Sequence, residues 1–259
     1  MAVITGAGSG IGRATALALV GRGGRLVIAD KDAGRSEAVA AEITQSGGQA
    51  AAVACDVARD DDIGALLEAT MSSFGRVDIV MSNVGVIAKG LPLEIPMEAW
   101  TSLIEVNLLG TIRVLRAFLP SLLEQGSGHV VTTGSTAGLF PYAYDRLPYA
   151  ATKAAVVAVT ESLALYLKPR GIEVSCFCPG GVITNIVEQI REFGSPTPVQ
   201  TPQVPLITAA QAGELVVRGI EEDRLLILSH PAAESMVKRH VLDREDFLQS
   251  QIDYLEGRL

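Results

Sequence analysis

Tyr149 and Lys153 stand four residues apart in Tyr149-Ala-Ala-Thr-Lys153, where the pattern predicts the first turns of a helix. Residues at i and i+4 share a helix face, so a phenol and an ammonium there can point into one pocket. The ammonium favours the phenolate and draws the phenol's pKa toward neutral pH, which suits proton exchange with an alcohol or a carbonyl. Seen alone, such a pair is also what a surface helix supplies by chance. A second group of residues gives it context. Thr5-Gly6-Ala7-Gly8-Ser9-Gly10-Ile11-Gly12 follows an apolar run and opens a helical segment rich in Ala and Leu. Glycines so placed let the backbone turn tightly and approach a pyrophosphate, whose charge then lies at the helix N-terminus. Asp30 closes the next apolar run, about 20 residues beyond the glycines, where a carboxylate accepts hydrogen bonds from adenosine ribose hydroxyls. A 2′-phosphate would be repelled there, so NAD is preferred over NADP. Lys31 and Arg13 are the nearby cations that keep NADP in view.

The elements that must position these groups alternate along the chain. Apolar runs at 2–5, 25–29, 50–55, 79–82, 129–133, 173–178 and 225–228 read as strands. Segments 11–22, 33–46, 61–73, 97–123, 149–167 and 209–221 between them carry helical periodicity. Strands separated by helices mean βαβ units, hence an α/β fold with a mainly parallel sheet covered on both faces. No linker, repeat or low-complexity block divides the chain, so 1–231 is expected to form one catalytic domain. Residues 194–205, rich in Pro, Thr and Gln, are expected to be an exposed, mobile loop. Residues 232–259 are charged and weakly helical, a tail peripheral to the sheet.

Composition bounds the function. A chain of 259 residues, 48% apolar and 19% charged, suits a helix-covered buried sheet. Its net charge of −8 argues against nucleic acid as a partner. With no secretory leader and no run of about 18 apolar residues, no membrane role is expected and the protein reads as cytoplasmic. Cys55, Cys176 and Cys178 are an odd number without a disulfide or metal pattern, and read as buried thiols in a reducing compartment.

Together these residues resemble the short-chain dehydrogenase/reductase family from Thr5 to about Leu228. The resemblance implies a single doubly wound Rossmann-type domain with a seven-stranded parallel sheet, and a nicotinamide cofactor. It matches Thr5–Gly12 to the family's glycine motif and Asp56-Val57 to the pair flanking the adenine. Ser82-Asn83-Val84-Gly85 matches the Asn-Asn-Ala-Gly turn, departing at Ser82 and Val84 and keeping Asn83 and Gly85. Pro179-Gly180-Gly181-Val182-Ile183-Thr184 matches the Pro-Gly motif beside the nicotinamide, with Thr184 bonding its carboxamide. The implied cofactor-binding set is Gly6, Gly8, Ser9, Gly10, Ile11, Gly12, Asp30, Asp56, Val57, Asn83, Gly85, Tyr149, Lys153, Pro179, Gly180, Val182 and Thr184. The implied catalytic set is Asn107, Ser135, Tyr149 and Lys153, without a metal. In it Tyr149 is the general acid/base and Ser135 orients the substrate oxygen. Lys153 holds the nicotinamide ribose and depresses the Tyr149 pKa, and Asn107 supports Lys153 through a water.

The Ser135–Tyr149 gap is one residue longer than the commonest family spacing. By the same comparison the substrate pocket draws on 86–91, 139–147 and a lid at about 185–205. These offer Val86, Ile87, Leu91, Leu139, Phe140, Tyr142, Tyr144 and Leu147, favouring an apolar or aromatic secondary alcohol or ketone. Lys89 and Arg146 read as solvated loop charges that could otherwise meet an anionic substrate group. The family's C-terminal Asp-Gly-Gly signature is replaced by Leu225-Leu226-Ile227-Leu228-Ser229-His230-Pro231, so a homodimer on the long helices is expected ahead of a homotetramer. Residues 214–231 are similar to a subgroup acting on benzylic alcohols. The alternatives are an NADPH-dependent 3-oxoacyl reductase of the same fold, which Asp30 and the non-basic Ser9 oppose, and a non-catalytic dinucleotide-sensing protein.

Overall fold

The computed structural model describes residues 1–185, 190–198 and 200–257. Seven strands form the main sheet: β1 (Ala2–Thr5), β2 (Arg25–Asp30), β3 (Gln49–Ala54), β4 (Ile79–Ser82), β5 (Gly128–Thr133), β6 (Ile172–Cys178) and β7 (Leu226–Leu228). They lie in the order β3-β2-β1-β4-β5-β6-β7, and every pairing is parallel. The chain therefore winds outward from β1 in one direction, then returns to wind outward from β4 in the other. That reversal opens a crevice at the carboxyl ends of β1 and β4, where such sheets bind ligands.

Helices α1 (Gly10–Val20), α2 (Ala33–Gln45) and α7 (Ala209–Glu221) cover one face. The other carries α3 (Asp60–Phe74), α5 (Gly110–Gln125) and α6 (Leu147–Leu167). The strands show why both faces need cover. Ile4, Leu26 and Ile28 pack toward α1, α2 and α7, whereas Val3, Val27 and Ala29 pack toward the opposite helices. Alternate residues point to opposite faces, so these nearly all-apolar strands are buried on both. Each large apolar side chain so buried contributes about 1.5–3 kcal/mol.

The long helix expected at 97–123 is broken in kind rather than in course. It runs as α4 (Met97–Leu103), a π-helical segment Ile104–Leu109, and then α5. This span and Leu147–Arg170 are each long and apolar enough to cross a membrane by length and composition alone, although neither holds an unbroken apolar run of about 18 residues. Their sheet-facing sides explain it: Val114, Leu115, Phe118, Leu122, Ala164 and Leu167 lie in the core.

One peripheral segment differs from expectation and another adds to it. The stretch read as an exposed loop buries Gln200 and Val204, and Ile207–Thr208 pairs with Val182–Ile183. Residues 186–189 and 199 of the expected lid lie outside the described residues. The tail forms α8 (Pro231–Leu242) and α9 (Arg244–Leu255), with 258–259 outside the described residues. It lies off the sheet and docks on the loop between Ser135 and Tyr149. Phe247 is 1% exposed, its ring 5.8 Å from that of Phe140. An apolar loop that the sheet cannot cover is sealed by the tail.

Candidate active site

The crevice is lined by Gly6, Ser9, Gly10, Ile11, Asp30, Asp56, Val57, Asn83, Gly85, Tyr149, Lys153, Pro179 and Thr184, with Lys31 and Arg35 at one end. Its glycine loop has little room for side chains. Gly6 and Gly10 have φ of +63° and +54°, and a Cβ on Gly12 would stand 2.3 Å from the Gly6 carbonyl. Among the described residues α1 has no acidic side chain in its first turn, and Ser9 makes no side-chain cap bond. The N–H groups of that turn remain for an anion, and a pyrophosphate fits them. The Asp30 carboxylate accepts from Gly8 N at 2.9 Å and Asp32 N at 3.0 Å, fixing it beside the loop. Asp56 pairs with Lys31 at 2.6 Å; burial raises its pKa, but the lysine holds it below the usual range.

The departures at Ser82 and Val84 have local support. Ser82 Oγ donates to Thr111 Oγ1 at 3.2 Å, and Val84 packs into the core beneath the turn. Asn83 ties three strand ends together, donating to the carbonyls of Thr5 and Gly6 and accepting from Thr133 Oγ1. Not every expected cofactor residue faces the crevice. Gly8 and Gly12 do not line it: a side chain on Gly8 would meet Arg35 and the Asp30 carboxylate, and one on Gly12 the Gly6 backbone and the Asn83 side chain. Gly180 donates to Ser229 Oγ at 2.8 Å and lies against Val204, while Val182 pairs with Ile207; both brace the wall from behind.

Asn107 lies in the π-helical segment, fully buried. Its Oδ1 accepts from Val86 N at 2.8 Å, and its Nδ2 donates to Val86 O at 3.0 Å and Thr152 Oγ1 at 3.1 Å. It thus clamps the loop after β4 to α6. Ser135 follows β5; its Oγ accepts from Ala137 N at 3.1 Å, and its hydroxyl favours the Tyr149 phenolate. Lys153 donates to the Thr133 carbonyl at 2.7 Å, its Nζ 5.9 Å from the centre of the Tyr149 ring. The structure thus brings Ser135, Tyr149 and Lys153 together, with Asn107 one layer behind.

The electrostatics depart from expectation. Burial pushes the Tyr149 phenol up to about 12 rather than toward neutrality, against the opposing hydrogen bond from Ser135. Burial also pulls Lys153 down to about 8. Within the chain alone, desolvation of the charged form dominates at each group.

Lys89 and Arg146 are not solvated charges. Both turn to Asp145, which is fully buried: Arg146 Nε donates to Oδ1 at 2.8 Å, and Lys89 Nζ stands 3.6 Å from Oδ2. A buried carboxylate needs such partners. Of the expected substrate-facing residues, Phe140 and Tyr142 point to Phe247 of the tail, whereas Val86 and Ile87 pack beside Tyr149. Thr133, Thr152 and Asp145 carry no signal of a role in the sequence. Their types are common, and only the fold brings them to the site.

Comparison with known proteins places the chain. Residues 1–194 match the family model for short chain dehydrogenase. The chain belongs to that family, and is an oxidoreductase with a nicotinamide cofactor. Over 192 residues it is 35% identical to a 3-oxoacyl-[acyl-carrier-protein] reductase of Synechocystis, covering 74% of this chain and 77% of that protein. A short-chain dehydrogenase/reductase from Burkholderia phymatum solved with NAD superposes with a TM-score of 0.86 at 33% identity, covering 94% and 93% of the two chains. An alcohol dehydrogenase from Thermococcus sibiricus solved with 5-hydroxy-NADP gives 0.75 at 28% identity, covering 88% and 94%.

Proposed function

We propose that the chain is an NAD-dependent oxidoreductase interconverting a secondary alcohol and its ketone, with an apolar or aromatic substituent. The observation that carries this reading is the Tyr149 phenol, buried in a crevice that also holds the glycine loop and Lys153. When bound, the nicotinamide supplies the hydride acceptor or donor. Tyr149 takes the hydroxyl proton in oxidation and returns it in reduction. Ser135 donates to the substrate oxygen and steadies its developing charge. Lys153 orients the cofactor ribose and adds positive charge near the phenol. Asn107 keeps the loop at Val86 and the helix at Thr152 in register around them. Val86, Ile87, Leu91, Leu139, Tyr144 and Leu147 supply an apolar surface for the substrate.

NAD is favoured because Asp30 presents a carboxylate at the adenosine end. Of the cations beside it, Lys31 pairs with Asp56 and Arg35 with Asp32. The Synechocystis relative supports a second reading, an NADPH-linked 3-oxoacyl reductase. Leu165 at 82% exposure and Tyr166 at 48% favour a homodimer through α6. Three free buried thiols fit a cytoplasmic setting.

An absorbance screen with NAD and NADP over secondary and benzylic alcohols, with a 3-oxoacyl thioester run in reverse, separates the two activities. Tyr149→Phe is expected to lower kcat by about 10²- to 10⁴-fold. Unchanged turnover in that variant would overturn the role given to Tyr149.

A further inference from the structure

We propose that Thr133, at the end of β5, is a positioning residue that holds Lys153 in place in the crevice by tying it to the Asn83–Gly85 turn. The inference rests on the reading of Lys153 as the group that orients the cofactor ribose. Thr133 reaches two partners with two different groups. Its carbonyl accepts from Lys153 Nζ at 2.7 Å, and its hydroxyl donates to Asn83 Oδ1 at 3.2 Å. Asn83 is held in turn, its Nδ2 donating to the carbonyls of Thr5 at 3.3 Å and Gly6 at 3.2 Å. Two residues on, Gly85 closes the figure: a Cβ there would stand 3.1 Å from Lys153 Nζ. The ammonium thus meets the Thr133 carbonyl and the bare Gly85 backbone, and the Thr133 hydroxyl joins those two segments.

The strand alone does not fix that carbonyl. The ladder between β5 and β6 ends at Thr133, opposite Phe177. Gly134 follows, and a side chain there would collide with Cys178 Sγ, 2.6 Å from its Cβ. Thr132 cannot substitute, because alternate strand residues point to opposite faces and its hydroxyl pairs with that of Thr160 on α6 at 2.6 Å. Thr133 and Lys153 are both buried, so water competes little for either bond. A lysine has a flexible four-carbon stem, and a fixed acceptor selects one of its conformations before any cofactor arrives. Asn83 keeps both its donations to the glycine loop whether or not Thr133 carries a hydroxyl. Loss of the hydroxyl should therefore be felt at Lys153 and hardly at the glycines.

The test is calorimetric titration of the full chain with two probes. One is NADH or NADPH, whichever the unaltered chain binds more tightly; the other is ADP, which has a pyrophosphate for the glycine loop and no nicotinamide ribose. Lys153→Met is expected to weaken the reduced cofactor by about tenfold or more. Thr133→Val keeps the shape and loses the hydroxyl; it should weaken the reduced cofactor by about three- to tenfold and ADP by less than about twofold. Thr133→Ser should restore most of the loss. In the Lys153→Met background, Thr133→Val should change cofactor affinity by less than about twofold, since the group it positions is gone. A merely structural role would weaken both probes alike and persist in that background, and either result overturns the proposal. Unchanged cofactor affinity in Thr133→Val overturns it as well. Should that variant not fold, Thr133→Ala is read by the same criteria. Unchanged cofactor affinity in Lys153→Met would overturn the reading of Lys153 and this inference with it. Binding is read without turnover, so failure of every alcohol in the activity screen is a separate result.

Discussion

His129 shows at the scale of one side chain what burial does to a titrating group far from the crevice. Its Nε2 lies 2.7 Å from Ser175 Oγ, and that hydroxyl donates to the Arg224 carbonyl at 2.6 Å. Ser175 can then only accept from the ring, so the proton sits on Nε2. Burial lowers the His129 pKa from 6.5 to about 4, outweighing the pull of Asp223 and Glu173. In the unfolded chain the ring takes its proton as pH falls through 6.5, while the folded ring stays neutral until about 4. The unfolded state binds more protons in that window, so stability is full above it and declines on acidification. The loss is on the order of 3 kcal/mol. Denaturant unfolding at a series of pH values should show it, and His129→Gln should flatten the slope between those limits. The same desolvation acts on Lys153 and Tyr149, where the proposed chemistry draws on it.

Elements differ in how far their roles could be read from residues. Strands β1 and β4 and helix α7 run over the residues that their patterns predict, because a parallel strand buried on both faces and an amphipathic helix are local statements. The Tyr149–Lys153 helix and the glycine loop were legible for the same reason. The π-helical turn around Asn107 was not. It accompanies three hydrogen bonds that join the Asn107 side chain to Val86 and Thr152, one accepted and two donated, with partners brought close only by the tertiary fold. Asp145 escaped notice because its burial depends on Lys89, Arg146 and Thr197, from three separate segments. The tail escaped because α9 has a mostly polar sequence and buries chiefly Phe247 and Gln251. Phe247 wedges against Phe140, with Gln203 donating to Gln251 at 3.2 Å. Phe247→Ala should weaken tail docking by about 3 kcal/mol. Hydrogen exchange should speed up in α8 and α9, and KM should rise more than kcat falls, since the tail supports a substrate loop rather than the reacting atoms.

For the molecule as a whole, the strand order decides where everything else goes. The reversal between β1 and β4 gathers the glycine loop, Asn83 and the Ser135 turn at one edge, and the helices behind them carry Tyr149 and Asn107 to it. The far side of α6 leaves Leu165 and Tyr166 exposed. If that face joins two copies, Leu165→Glu should shift the protein to a monomer in sedimentation velocity, with unchanged secondary structure. A dimer unaffected by the charge would place the contact elsewhere. Asp145 has a consequence of another kind. Lys89, Arg146 and Thr197 belong to three different segments of the proposed substrate pocket, and all of them meet at this one carboxylate. Loops around such a site are commonly regarded as interchangeable parts, each open to replacement by itself. Here a graft that replaced the Asp145 loop alone would leave Lys89 without this buried counter-ion and Thr197 without its acceptor. The three segments therefore form one structural unit, and a change in the proposed substrate preference is expected to need them exchanged as a set.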